Sequence, residues 1–98
     1  MRVNSKLTKV VGGRIIRSFQ ESGGQLLIFF HDGSTLKIQE MQTNSPPLVM
    51  GAQIKAVEED GTVLKILCQD GTGFSLRLTD PGAGVFVLAE NNRVEYSG

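Results

Sequence analysis

His31 and Asp32 are the one histidine–acid neighbour pair in the chain, and Cys68 is its one cysteine. These are the residue types for proton transfer and nucleophilic attack. Such chemistry needs a base held against a nucleophile and a third group that orients the base. Adjacent strand residues point to opposite faces, so His31 and Asp32 do not form a dyad directly. Cys68 stands inside the apolar stretch "TVLKILCQD", where a cysteine behaves as a small core residue. Being single, it closes no internal disulfide. Glu58, Glu59 and Asp60 offer oxygens to a hard cation, which needs several that converge. These three flank one turn and diverge. "GTGFS" and "PGAGVF" contain G-x-G, but neither opens a helix, so neither reads as a phosphate loop. The expectation is no catalytic residue, no cofactor and no metal, with an unrecognised enzyme kept as a minor alternative.

The elements that carry these residues come from a pattern stated twice. "QLLIFFHDGSTLKI" and "TVLKILCQDGTGFSL" each place an apolar run, an Asp-Gly turn and a second apolar run in order. A shift of 38 positions lays Gly13 on Gly51, Ile16 on Ile54, Gly23 on Gly61 and Ile28 on Ile66. It also lays Asp32-Gly33 on Asp70-Gly71, with no gap. We therefore expect one domain over 1–98 with internal repeats at about 13–40 and 51–78. Each repeat reads as three strands: 14–21, 25–31 and 35–40, then 52–59, 62–69 and 73–79. Asp-Gly predicts type I′-like hairpins between the second and third strands of each repeat. "NSKLTKVVGG" and "NSPPLVMG" each offer a serine N-cap, an apolar turn and a glycine stop, predicting a short helical turn before each repeat. After Asp80-Pro81-Gly82, a C-terminal hairpin over about 85–97 turns at Asn91-Asn92, since asparagine tolerates positive φ.

Alternation assigns the faces. Leu26, Ile28, Phe30, Leu36 and Ile38 point inward, as do Leu64, Ile66, Cys68, Phe74, Leu76 and Leu78. Ile16 and Phe19 differ in parity, as do Ile54 and Val57. A bulge near Arg17-Ser18 and another near Lys55-Ala56 would bring all four inside. The fold class is mainly β: an antiparallel small barrel or sandwich of about eight strands with one or two helical turns.

The repeated pattern over Gly13–Ile38 and Gly51–Leu76, with the tail "LTDPGAGVFVLAENNRVEYSG", resembles a group of small uncharacterised bacterial β proteins. Their hairpins carry "DGSTL" and their tails are of the type "DP…V…EY". The resemblance implies a small soluble bacterial β protein and supplies no catalytic residues.

Two surfaces stand out. Leu27 and Phe29, matched in the copy by Lys65 and Leu67, are apolar where the outward face of a half-exposed sheet should be polar. Leu27, Phe29 and Leu67 are thus the candidate interface, since contiguous apolar patches mark interaction sites. Lys6, Lys9, Arg14 and Arg17 form the candidate basic surface. With Arg2 they give residues 1–20 a charge of +5 and leave −5 to the remainder, because the whole chain is neutral. That segment is expected to be a solvated lead-in, or a basic edge that meets an acidic surface, such as another copy's. The neutral total argues against nucleic acid, though a weak single-strand-binding small barrel is the runner-up. No apolar stretch approaches a membrane span, and the N-terminus lacks a signal peptide's apolar region. The expectation is a cytoplasmic, non-enzymatic binding or assembly module. Its expected partner is itself, as a homodimer, or another protein.

Overall fold

A computed structural model describes residues 2–22, 24–39, 50–78 and 84–97. Nine strands and one helix are found among them: β1 (Arg2–Val3), α1 (Ser5–Val11), β2 (Ile16–Ser22), β3 (Gln25–Phe30), β4 (Thr35–Gln39), β5 (Ile54–Asp60), β6 (Val63–Cys68), β7 (Gly73–Arg77), β8 (Val85–Leu88) and β9 (Val94–Ser97). They form two antiparallel sheets, of order β1-β5-β6-β7 and β2-β3-β4-β8-β9. Both sheets are open, so the fold is a sandwich rather than a closed barrel. No helix among the described residues is long and apolar enough to cross a membrane.

The alternation set the faces as expected. All the residues read as inward, from Leu26 to Leu78, are buried in one core with Val85 and Val87 from β8. Leu7 and Val11 of α1 complete that core. Register breaks between Ile16 and Ser18, and between Ile54 and Ala56, place the two bulges where parity required them. The bulges bury Ile16, Ile54 and Val57. Phe19 departs from the expectation and is 36% exposed, while its counterpart Val57 is 0% exposed. Val57 lies under α1, whose Thr8 Oγ1 accepts the Val57 N–H at 3.0 Å and donates to its carbonyl at 3.3 Å. The second expected helical turn, around Ser45, lies outside the described residues.

Three hairpins share one turn. In each, the loop has three residues, and the third has positive φ: Gly33, Gly71 and Asn92. Each of these donates its N–H three residues back, to Phe30, Cys68 and Ala89. Asp32, Asp70 and Asn91 each accept the backbone N–H two residues on, from Ser34, Thr72 and Arg93. This is a type I turn closed by a bulge, not the type I′ turn expected. A type I′ turn needs positive φ at both central residues, whereas here the side-chain acceptor holds the aspartate in place. In α1 the cap is also one residue earlier than expected. Asn4, not Ser5, accepts the Leu7 N–H, at 3.0 Å.

The backbone bonds around the starts of β2 and β5 come in pairs offset by 38. Gly13 N–H to Ile54 carbonyl is matched by Gly51 N–H to Ile16 carbonyl. Ile54 to Arg14 is matched by Ile16 to Ala52, and His31 to Ile15 by Gln69 to Gln53. At the centre stands the antiparallel bridge Ile15–Gln53, which maps onto itself under the shift. The first two bond pairs and that bridge tie the start of β2 to the start of β5. Among the described residues, β1 pairs with β5 but no strand takes the corresponding place beside β2. Likewise β8 pairs with β4, and no described residue pairs with β7 on its far side.

Candidate interaction surface

The sequence placed Leu27, Phe29 and Leu67 on one interface. The structure separates them. Leu27 and Phe29 lie on the outward face of the five-stranded sheet, and Leu67 lies on the outward face of the four-stranded one. The sheets share a core, so these faces point away from each other. All three side chains are half-buried.

The five-stranded sheet carries more than the two predicted residues. Register aligns Ser18, Phe29, Thr35, Leu88 and Val94 in one outward row across all five strands. The next row is Gln20, Leu27, Lys37, Phe86 and Ser97. Five apolar side chains therefore share this face, with Val94 at its edge 56% exposed. Phe86, Leu88 and Val94 were missed in the sequence, although "VFVL" is apolar at both parities and so signals a strand with no polar face.

The other outward face is of ordinary composition. Val3, Glu58, Lys65 and Ser75 form one row and Asp60, Val63 and Arg77 another. Leu67 has Ala56 and Gly73 as neighbours, and its Cδ2 lies 3.1 Å from where a Cβ on Gly73 would stand. It folds over the glycine and forms no patch.

The basic residues disperse. Lys6 and Lys9 are exposed on α1, and Arg17 is exposed at the β2 bulge. Arg14 is turned inward, with its side chain 16% exposed. Its guanidinium grips Glu95 with two bonds of 3.2 Å and donates to Ser34 Oγ at 2.6 Å. It also stands 3.6 Å from Asp32 and 6.0 Å from the Phe30 ring centre. Of the four, Arg14 thus meets acids of its own chain. This cluster ties the first hairpin to β9. It has no copy in the second repeat, where Ala52 takes the place of Arg14.

The residues first read for chemistry fall as follows. His31 is exposed at the turn. Asp32 is held by Ser34, whose hydroxyl and N–H both donate to its Oδ1. Burial pushes the Asp32 pKa up, but the Ser34 bonds and Arg14 outweigh it and hold the carboxyl below its usual value. Asp70 is likewise lowered by the Thr72 hydroxyl and N–H. Burial pushes the Cys68 thiol up, away from the reactive thiolate. Glu58, Glu59 and Asp60 alternate between faces of β5, and no group of three or more metal-ligand side chains converges among the described residues.

No protein-family model matches the chain, and neither the curated proteins nor the solved structures compared with it give a match.

Proposed function

We propose that the chain is a non-enzymatic assembly module that binds a second copy of itself through the outward face of the five-stranded sheet. One observation carries this reading: Leu27, Phe29, Phe86, Leu88 and Val94 occupy two adjacent rows of that face. A solvated antiparallel face is ordinarily polar. Contiguous apolar surface of this kind favours burial against a partner. A twofold contact makes one self-complementary patch sufficient, because each copy presents the same rows to the other. A dimer of modest size buries roughly 800 Å² per partner, which one sheet face of a small sandwich can supply. Lys37 and Thr35, at the centre of the patch, leave their polar ends to pair across the contact or at its rim. The test is sedimentation of the wild type beside Phe29→Glu. A dimer that becomes a folded monomer in the variant supports the reading.

A further inference from the structure

We infer that Asp60–Gly61 is a site of spontaneous covalent modification, where the aspartyl link converts to an isoaspartyl one. Asp-Gly occurs three times, at Asp32-Gly33, Asp60-Gly61 and Asp70-Gly71. In each, the glycine offers no side chain to hinder its nitrogen, so the sequence alone ranks the three together. The step needs no co-reactant but water. The glycine nitrogen attacks Cγ of a neutral aspartic acid and an N–Cγ bond forms. The carboxyl oxygen leaves as water, taking its own proton and that of the amide. Water then opens the five-membered ring. Cleavage of the Cγ–N bond returns aspartate. Cleavage between that nitrogen and the aspartate main-chain carbonyl leaves the chain running through Cβ and Cγ.

Two of the three junctions are held against this step. Asp70 Oδ1 accepts the Thr72 N–H at 2.9 Å and the Thr72 hydroxyl at 2.6 Å. Asp32 Oδ1 accepts the same two groups from Ser34, and Arg14 Nε stands 3.6 Å from its Oδ2. Donors and a cation at a carboxylate favour the anion, whose oxygen is a poor leaving group. The attacking nitrogens are engaged as well. Gly33 and Gly71 donate their N–H groups to Phe30 and Cys68, at 3.1 Å each. Asp60 belongs to a different turn. It pairs with Val63 across a two-residue loop in which Gly61 alone has positive φ, of 60°, the hairpin form with glycine first. The bond of such a turn joins its first and fourth residues, so the Gly61 N–H takes no part in it. The Asp60 side chain stands on the outward face with Val63 and Arg77, and Asp60 and Gly61 are both exposed. The isomer lengthens β5 by one main-chain carbon beside Glu59, the residue that pairs with Arg2 of β1.

Trypsin places each junction on its own peptide: 18–37, 56–65 and 66–77. The test incubates the whole folded chain in mildly acid buffer and digests samples over several weeks. Liquid chromatography with mass spectrometry separates the isomers, which have equal mass and different retention. The 56–65 peptide should convert about tenfold faster than the other two, the factor that one pK unit sets on the neutral acid. In guanidinium chloride the turns are lost, and the three rates should agree within about twofold. Thr72 is exposed, so Thr72→Val should keep the β circular dichroism signal. It should raise conversion at Asp70 several-fold and leave Asp60 unaltered. Equal rates in the folded chain, a ranking that persists in denaturant, or an Asp70 rate unmoved by Thr72→Val would overturn the inference. If Thr72→Val does not fold, the folded-against-denatured comparison decides.

Discussion

Ile15 and Gln53 face each other across an antiparallel bridge, and each is the other's counterpart under the 38-residue shift. The two sheets meet at this pair. On either side the bonds repeat in order, so equivalent residues sit in equivalent surroundings over most of the core. Among the described residues, α1 covers Val57 while Phe19 is 36% exposed, and β8 pairs with β4.

Equivalent core positions should therefore respond alike. Ile28 and Ile66 are both 0% exposed on the central strands of their sheets. Ile28→Ala and Ile66→Ala should each lower unfolding free energy by about 2–5 kcal/mol, through lost transfer energy and the cavity left behind. Denaturant titration measures both. A loss below about 0.5 kcal/mol in either would place that side chain outside the core.

Thr8 acts as a substitute for a strand. Its hydroxyl is bonded to both the N–H and the carbonyl of Val57, between the β1 pairing and the bridge to β2. Thr8→Val keeps the shape and removes the bonds. It should cost about 1–3 kcal/mol, because the covered Val57 donor loses its partner. A neutral result would mean that water replaces the hydroxyl.

The Arg14 cluster predicts a pH dependence. Asp32 has a lowered pKa in the folded chain, so its stabilisation is present above the ordinary carboxylate value and fades as pH falls through the folded value. Asp32→Asn should be less stable than wild type at pH 7 by roughly 0.2–1 kcal/mol, the usual worth of a partly exposed ion pair. The gap should narrow below about pH 4 and vanish in stronger acid. A gap that is constant from pH 7 to about pH 2.5 would assign it to the Asn side chain rather than to charge.

Much of the fold was legible because it is local. The Asp-Gly turns, the inward residues and both bulges follow from side-chain parity and turn chemistry within a few residues. The turn type did not follow, since it depends on the Asx bonds of Asp32 and Asp70, which hold three loop residues instead of two. Nor did the partners of β1 and β8, because strand pairing at long sequence separation leaves no periodic signal. The same gap misplaced the candidate surface. Phe29 and Leu67 match by parity and repeat position, yet parity does not say which strands share a sheet. Phe86, Leu88 and Val94 join Phe29 only through the β4–β8 and β8–β9 registers. Arg14 looked like its basic neighbours until the fold brought Glu95 against it.

Sedimentation equilibrium of wild type and Phe29→Glu at about 100 μM tests the central claim most directly, since a dimer of micromolar affinity is well populated there. Phe29 is half-buried and outward, so glutamate should leave the β circular dichroism signal intact. The account predicts a dimer for the wild type and a folded monomer for the variant. A wild type that sediments as a monomer at that concentration, or a variant that remains dimeric, contradicts it. A variant that unfolds would show that Phe29 belongs to the core, which contradicts the outward placement on which the interface rests.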